Sequence, residues 1–372
     1  MTKPPRISEP VLRIQPYVPG KPIEEVEREL GVQAIKLASN ENPLGPSPRA
    51  VEAIRAAAEN AHRYPDGSAY VLRQHLSEKL AVPPERLVFG AGTSELILLA
   101  AHAYLTAEDE GLTSESTFPV YAAGILATGA RLVETPLVEH AIDLDGIAAA
   151  VTRRTRIIYL ANPNNPTGTW FPASAFESFL NRIPDDVLVV LDEAYFEYAE
   201  RPGYSRSLEM VAEGRNLLVL RTFSKVYGLA GLRLGYGVAR EEIVGALDRV
   251  RHPFNTSGLA QAGALAALDD AEHVRRSLEM NRAGLEQLSA GLDDLQVSYI
   301  RSIANFILAD VGDGDAVAGA LLHLGVVVRP MAWMGIPQAI RVTVGTAEEN
   351  RKFLAALGET LGARREKGLA QS

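Results

Sequence analysis

The sequence predicts an α/β fold, with a large domain built on a mostly parallel sheet flanked by helices and a smaller α+β domain. From about residue 85, short apolar strands alternate with helical segments, which is typical of a parallel sheet with crossover helices. After about residue 268 the alternation gives way to a long charged helix and several short strands. A chain of 372 residues is long enough for two domains. The predicted units are an N-terminal arm with part of the small domain (1–38), the large domain (39–268) and the small C-terminal domain (269–372).

The first 61 residues begin with a proline-rich stretch and continue into two predicted helices. Five prolines among the first twenty residues indicate an extended arm. The segment "KPIEEVEREL" then predicts a short helix that ends at Gly31, because glycine commonly follows a helix C-terminus. In "SPRAVEAIRAAAENA" (47–61), a serine cap and a proline in the first turn predict a second helix.

The middle of the chain supplies the predicted parallel sheet. Its predicted helices cover 93–104, 119–128, 143–151 and 173–182. The predicted strands are "RLVF", "EGLT", "RLVET", "RIIYLAN", "VLVVLDEA", "NLLVLRT" and "LGYGVA". Ligands of such sheets bind at the carboxyl ends of the strands, so polar residues that follow these strands are the candidates for a functional site.

The predicted small domain starts with a charged helix over 271–290. The strands "QVSYI", "NFILAD", "VVVRP" and "AIRVTVG" follow, with one helix after the second strand and another after the last.

Composition and charge exclude several classes of protein. The net charge is −9 and no long basic run exists, so we expect no nucleic-acid partner. The absence of cysteine excludes disulfides, thiolate metal sites and thiol nucleophiles, and it fits a reducing compartment. No apolar run is long enough to span a bilayer and no signal peptide is visible. We therefore expect a cytoplasmic protein without a membrane partner.

Three segments place polar residues just after predicted strands. In "FGAGTSEL" (89–96) the glycines and hydroxyls open a helix and form either an ordinary turn or a cradle for phosphate; the third glycine of a dinucleotide motif is missing. "ANPNNPTG" (161–168) is either a plain turn or a pair of asparagines that hold a polar ring substituent. "VLVVLDEAY" (187–195) puts two carboxylates at the end of a buried strand, where an aspartate faces a ligand or caps a helix.

The segment "TFSKVYGLAGLR" (222–233) contains a lysine in nearly uncharged surroundings. Lys225 is either a solvated loop residue or a Schiff-base lysine, which needs a partly desolvated pocket to lower the pKa of its amine. Ser224 and Arg233 would then supply donors to a phosphate.

A metal site has no support in the sequence. "DVGDGDAV" (310–317) lacks the twelve-residue loop and terminal glutamate of a calcium site. The seven histidines show no paired spacing that would hold a zinc ion.

Taken together, these segments resemble the fold-type I pyridoxal-phosphate aminotransferases. The order of the glycine-rich turn, N-P-T-G, D-x-x-Y, S-K and an arginine eight residues later carries the resemblance. The flanking segments are similar to those of histidinol-phosphate aminotransferases and extend the resemblance from about residue 11 to 362: "PYVPGKPIEEV", "KLASNENPLGPSP", "RYPDG" and "IRVTVGTAEEN".

The resemblance implies pyridoxal 5′-phosphate as the cofactor. Lys225 would form the Schiff base and move the substrate proton, and Asp192 would pair with the pyridine nitrogen. Asn165 and Tyr195 would contact the phenolic oxygen, and Phe118 would stack on the ring. The residues implied for the cofactor phosphate are Gly92, Thr93, Ser94, Ser224 and Arg233.

The resemblance also implies a homodimer and a set of substrate contacts. Tyr64 would reach the cofactor phosphate of the neighbouring subunit. Arg329 and Arg341 would bind the anionic group of the substrate, and Tyr17 and Asn42 would line its pocket. The implied reaction, a step of histidine biosynthesis, converts L-histidinol phosphate and 2-oxoglutarate to imidazole-acetol phosphate and L-glutamate.

The sequence departs from the family pattern at three serines and leaves alternatives open. Ser94, Ser116 and Ser257 stand where the family usually has an acidic residue, proline and asparagine. Arginine binds carboxylate and phosphate alike, so an aromatic or broad-range amino-acid aminotransferase remains an alternative. A phospho-amino-acid decarboxylase and a non-catalytic cofactor-binding protein are further alternatives.

Overall fold

A computed structural model describes residues 5–16, 20–199 and 201–369, with side chains described to residue 364. Within these ranges the strands form one seven-stranded sheet, one four-stranded sheet and two short two-stranded pairs. None of the helices described is both long and apolar enough to cross a membrane.

The α-helices are numbered in chain order. They are α1 Glu9–Leu12, α2 Ile23–Leu30, α3 Pro48–Ala58, α4 Tyr70–Leu80, α5 Thr93–Tyr104, α6 Val120–Ala127, α7 Leu144–Ala150, α8 Ala173–Leu180, α9 Ser207–Ala212, α10 Glu241–Val250, α11 Gly258–Leu268, α12 Ala271–Asp294, α13 Gly314–His323 and α14 Ala347–Leu369. Short 3₁₀ turns cover Pro84–Arg86, Phe196–Tyr198, Ala230–Leu232 and Ala332–Met334.

The strands are numbered in the same way. They are β1 Ile35–Lys36, β2 Leu87–Gly90, β3 Glu110–Ser114, β4 Arg131–Thr135, β5 Leu137–Val138, β6 Ala141–Ile142, β7 Thr155–Ala161, β8 Leu188–Asp192, β9 Leu217–Thr222, β10 Gly235–Val238, β11 Tyr299–Ile300, β12 Phe306–Asp310, β13 Val326–Val327, β14 Arg329–Pro330 and β15 Ala339–Thr343.

The large sheet has the strand order β2-β10-β9-β8-β7-β3-β4. Strand β10 is antiparallel to both of its neighbours, and the pairs from β9 to β4 are all parallel. The predicted mostly parallel sheet is therefore confirmed. The parallel strands bring the ends of β3, β7, β8 and β9 to one edge of the sheet, which is where a ligand of an α/β fold binds.

Both faces of the large sheet are buried. Successive residues of β9 alternate between two apolar clusters: Leu217 and Val219 face one cluster, and Leu218 and Leu220 face the other. This period of two follows from the pleat of a strand. A strand with helices on both sides must be apolar at every position, which explains the continuous apolar run that follows Asn216.

The four-stranded antiparallel sheet has the order β11-β12-β15-β14 and carries its own apolar cluster. Leu37, from the N-terminal part of the chain, belongs to this cluster together with Leu288 and Phe353. Strand β1 also pairs in parallel with β13. These contacts agree with an N-terminal segment that joins the second unit, while the boundaries at 38 and 268 stay a prediction.

Two expectations from the sequence differ from the structure. The extended arm contains the short helix α1, where Pro10 lies in the first turn. Proline is compatible with that turn because its missing N–H has no partner there anyway. The segment "VVVRP" forms two strands, since Val326–Val327 pairs with β1 and Arg329–Pro330 pairs with β15.

A buried ion pair links β9 to the segment after β8. Arg221 donates two hydrogen bonds to Oε2 of Glu193, at 3.0 and 2.8 Å, and both side chains are buried. Ser205 and Ser207 donate to the same carboxylate. The guanidinium also lies 3.3 Å from the ring centroid of Phe196. Charges removed from water in this way are stable only while each keeps its partner.

Replacing one partner of this pair should strongly destabilise the protein. Glu193→Gln leaves the Arg221 charge buried without its carboxylate, so we expect the free energy of unfolding to fall by about 3 kcal/mol. Urea unfolding of the purified protein measures this change. The control is Glu272→Gln, which breaks an exposed ion pair with Arg275 and should cause no measurable change. Equal effects of the two substitutions would contradict the importance of the buried pair.

Candidate active site

A cleft of about 250 Å³ opens at the carboxyl edge of the large sheet, where side chains of both sheets meet. Most of the site residues predicted from the sequence line this one cleft. They are Thr93, Ser94, Phe118, Asn165, Asp192, Tyr195, Ser224, Lys225, Arg233 and Arg341.

The ends of three adjacent parallel strands position the polar residues of the cleft. Asp192 is the last residue of β8. Lys225 follows three residues after the end of β9, and Asn165 four residues after the end of β7. Because these strands are neighbours in the order β9-β8-β7, the three side chains converge on one cleft although they are far apart in sequence.

The start of α5 and the arginine after β9 form a cradle for an anion. Thr93 and Ser94 open the helix, and Gly92 precedes it with a φ of 80°. Arg233 Nη1 lies 3.4 Å from Ser224 Oγ. A Cβ at position 92 would lie only 2.5 Å from Arg233 Nη2, so a glycine is needed where the guanidinium approaches the helix N-terminus. Backbone N–H groups, hydroxyls and a guanidinium are the donors that bind phosphate.

Lys225 lies in the cleft, with its amine between the Ser39 carbonyl and the Tyr195 ring. Its Nζ is 3.4 Å from the carbonyl oxygen of Ser39 and 5.5 Å from the ring centroid of Tyr195. Burial lowers the pKa of Lys225 from 10.5 to about 8, and the charges of Arg341 and Arg233 act in the same direction. Lys225 is thus a part-buried residue of the cleft and does not lie on an exposed loop.

Asp192 is a buried residue that lines the same cleft as Lys225, and its carboxylate accepts two hydrogen bonds. The Tyr121 hydroxyl donates to its Oδ2 at 2.8 Å, and the Ala194 N–H donates to its Oδ1 at 3.1 Å. Burial raises the pKa of Asp192 to about 6, while these hydrogen bonds and the charge of Lys225 limit the rise. Above that pH the carboxylate is ionised and can pair with a positively charged partner.

The opposite wall of the cleft comes from the second sheet and the N-terminal segment. Arg341, on β15, donates to Oδ1 of Asn165 and, at 2.7 Å, to the carbonyl oxygen of Ala38. Asn40 Nδ2 donates to the hydroxyl oxygen of Tyr195 at 2.8 Å. Thr343, also on β15, hydrogen-bonds both the backbone N–H and Oδ1 of Asn40. A buried guanidinium is thus held in the same cleft as the lysine.

The expected substrate role of Asn42 does not fit the structure. Its Nδ2 donates to the carbonyl oxygen of Val226 and to Ser277 Oγ, and its Oδ1 accepts from the Leu44 N–H. All polar groups of this buried side chain are therefore used within the fold, and the residue does not line the cleft. Asn40, two residues earlier, lies in the cleft instead.

Two other predicted residues, Arg329 and Tyr64, do not line the cleft. Arg329 is the cross-strand neighbour of Arg341, and its guanidinium packs 4.7 Å from the ring centroid of Trp333, which does line the cleft. Tyr64 is 84% exposed and stacks on Phe254. Tyr17 lies outside the described residues.

The three serines that depart from the family pattern have structural partners or a place in the cleft. Ser116 donates to the carbonyl oxygen of Met334 at 2.7 Å and so links the loop after β3 to the rim of the cleft. Ser257 caps α11 by accepting from the Ala260 N–H. Ser94 lines the cleft.

Sequence reasoning missed several cleft residues, of which Tyr121, Asn40 and Trp333 matter most. Tyr121 had a visible signal, since it lies only three residues after Phe118, in the first turn of α6. Asn40 stands in the quoted segment "KLASNENPLGPSP", but nothing in the sequence separates its role from that of Asn42.

The described part of the chain contains no cluster of acidic or histidine side chains that could hold a metal ion. What the cleft offers is an amine with a pKa near 8, a carboxylate ionised above about pH 6 and a cradle for an anion. Such an amine can act as a nucleophile and as a general base near neutral pH.

Comparisons with known proteins agree with this chemistry. The family model for aminotransferase class I and II matches residues 32–357. A histidinol-phosphate aminotransferase of Anaeromyxobacter sp. (strain Fw109-5) is 49% identical over 357 residues, which cover 95% of this chain and 98% of the relative. One of Moorella thermoacetica is 48% identical over 360 residues, covering 96% of this chain and 93% of the relative.

A solved structure gives the same result. The crystal structure of histidinol-phosphate aminotransferase from Sinorhizobium meliloti in complex with pyridoxal-5′-phosphate is 30% identical, with a TM-score of 0.88, and covers 96% of this chain and 98% of that one. The match of the family model over most of the chain, together with these relatives, shows that the protein belongs to the aminotransferase class I and II family.

Proposed function

We propose that this chain is a pyridoxal-phosphate-dependent aminotransferase that transfers the amino group of L-histidinol phosphate to 2-oxoglutarate, giving imidazole-acetol phosphate and L-glutamate. The observation that carries the proposal is the high identity, over nearly the full length, to relatives that bear the name histidinol-phosphate aminotransferase. The cleft supports it, since a lysine, an aspartate, an anion cradle and a substrate-side arginine share one cavity.

The residues present fit pyridoxal phosphate. Arg233 and Ser224, with the N-terminus of α5, offer donors for its phosphate, and Gly92 leaves room for the guanidinium. Lys225 offers an amine for its aldehyde carbon, and Asp192 a carboxylate for its ring nitrogen. When bound, the cofactor supplies an electron sink that stabilises a carbanion at the Cα of the amino donor.

The protein's own part in catalysis is to move one proton and to fix charges. Lys225 Nζ, with a pKa of about 8, can accept the Cα proton of the donor when neutral and return it as an ammonium group. Asp192 stays ionised above about pH 6 and so favours a protonated ring nitrogen. Asn165 and Tyr195 line the cleft and would contact the phenolic oxygen of the cofactor; Asn40 donates a hydrogen bond to the Tyr195 hydroxyl.

Arg341 is the residue proposed for the anionic group of the substrate. Its guanidinium is buried in the wall of the cleft and is oriented by the Ala38 carbonyl oxygen. Arg329 adds a second positive charge from the adjacent strand, behind Trp333. Both donor and acceptor carry an anionic group, a phosphate or a carboxylate, so one site can serve both halves of the reaction.

We further propose that the enzyme is a homodimer in which Tyr64 contributes to the neighbouring site. Tyr64 is 84% exposed and stacks on the half-exposed Phe254, so the two rings form an exposed apolar pair. Such surfaces on folded domains mark interaction sites. The cytoplasmic location stays a prediction from the sequence.

The donor test separates this function from its aromatic alternative. We expect kcat/KM for L-histidinol phosphate, with 2-oxoglutarate as acceptor, to exceed that for L-phenylalanine by at least about tenfold, or ~1.4 kcal/mol. Lys225→Ala is the control and should be inactive with both donors, which assigns any activity to this cleft. A tenfold preference for phenylalanine would move the function to aromatic amino acids.

Mixed dimers test the placement of Tyr64. Tyr64→Phe alone should weaken cofactor binding by roughly tenfold, the value of one hydrogen bond to a charged group. A hybrid of one Lys225→Ala subunit and one Tyr64→Phe subunit then contains one complete site if Tyr64 acts across the interface. We expect about half of the wild-type turnover at low cofactor concentration, measured on hybrids purified with two affinity tags. Turnover no better than that of the Tyr64→Phe homodimer would place Tyr64 in its own subunit's site.

A further inference from the structure

Asp192 depends on a donor that the predicted site did not include. The residue is 5% exposed, and the Tyr121 hydroxyl donates to its carboxylate, 2.8 Å from Oδ2. The other oxygen accepts from the Ala194 N–H. A carboxylate in such a place stays charged only if donors and opposite charges replace the lost water.

The ring of Tyr121 is fixed on more than one side. It is fully buried and stacks on Tyr159, with ring centroids 5.3 Å apart and an interplanar angle of 6°. The ring of Phe118 packs against it at 80°, with centroids 5.6 Å apart. The Tyr159 hydroxyl donates to the carbonyl oxygen of Ile97 in α5 at 2.9 Å. The hydroxyl of Tyr121 therefore reaches Asp192 from a ring with little freedom to move.

This arrangement connects three parts of the proposed cofactor site. Phe118 lies at the face assigned to the cofactor ring, Asp192 at its nitrogen, and α5 begins at the phosphate cradle. Tyr121 and Tyr159 lie between them and contact all three.

We propose that Tyr121 is a positioning residue that holds the Asp192 carboxylate in its orientation toward the ring nitrogen of the cofactor and keeps that carboxylate ionised. The proposal rests on the proposed function, because it takes Asp192 as the partner of that nitrogen. Tyr121 itself exchanges no proton: burial raises the pKa of its hydroxyl well above 10, so the group remains a donor.

The electrostatics agree with this role. Burial raises the pKa of Asp192 to about 6, and the hydrogen bond from Tyr121 is the largest of the effects that lower it. The charge of Lys225 lowers it as well, whereas that of Glu193 raises it. The titratable groups around the carboxylate are Tyr121, Lys225, Glu193, Tyr195 and Tyr204. Without the Tyr121 hydroxyl, Asp192 should hold its proton to a higher pH.

The test compares Tyr121→Phe with Tyr159→Phe. Both substitutions keep a buried ring and remove one hydroxyl, but only the first removes a donor to Asp192. Cofactor affinity is measured by titrating the apo-protein with pyridoxal phosphate and following the visible absorbance from pH 6 to 9. We expect Tyr121→Phe to weaken binding by about tenfold near pH 7, with a smaller loss at pH 9, since a hydrogen bond to a charged group has roughly this value. Tyr159→Phe keeps the stacked ring and both donors to Asp192, so it should weaken binding less than Tyr121→Phe does, and by the same factor at every pH.

A double-mutant cycle separates orientation of Asp192 from general packing. Asp192→Asn removes the ionisable group, so adding Tyr121→Phe to it should cause no further loss of affinity. Melting temperatures of all variants without cofactor identify any loss of fold. If Tyr121→Phe and Tyr159→Phe weaken binding equally, or if the effects of Tyr121→Phe and Asp192→Asn add, the positioning role is wrong and the proposed function stands. A wild-type protein that binds no pyridoxal phosphate overturns the proposed function and this inference together.

Discussion

The rest of the site depends on the removal of the Lys225 amine from water, which lowers the pKa of that amine. Burial first, and then the charges of Arg341 and Arg233, disfavour the ammonium form of Lys225, so its pKa falls to about 8. Asp192 and Glu41 oppose the fall, so the amine can both lose and regain its proton near neutral pH. The arginines that disfavour the charged lysine are the same groups that the proposed function assigns to the phosphate of the cofactor and the anion of the substrate.

The fold produces this environment by bringing two sheets together. The parallel sheet supplies Asp192 and Lys225 from the ends of adjacent strands, and its parallel direction is what makes those ends coincide. The antiparallel sheet supplies Arg341 from β15, which contacts Asn165 across the cleft. Asn40, from the segment after β1, contacts both sides through Tyr195 and Thr343. The charge balance around the lysine therefore depends on how the two sheets pack.

Site residues close to the end of a strand could be predicted from the sequence. Site residues whose roles depend on contacts with distant parts of the chain could not. The aspartate could be found because it ends a buried apolar strand, and the lysine because it stands three residues after another. The helices that open with a serine or glycine could be placed for similar local reasons. Asn40 and Asn42 are two residues apart in the same polar turn, and only contacts with Tyr195 and Ser277, far along the chain, separate their roles. Arg329 has the charge expected of a substrate residue, but its packing on Trp333 depends on the tertiary structure and could not be predicted from the sequence.

The most direct measurement of this account is the pKa of Lys225 in the cofactor-free protein. Competitive labelling with an amine-reactive reagent, read peptide by peptide by mass spectrometry across pH 6 to 11, gives the midpoint for this lysine against the exposed lysines of the same chain. Because burial and the neighbouring arginines disfavour the ammonium form, reactivity should rise with a midpoint near pH 8. A midpoint near 10.5, the ordinary value, would contradict the claim that the cleft holds an amine ready to gain and lose a proton.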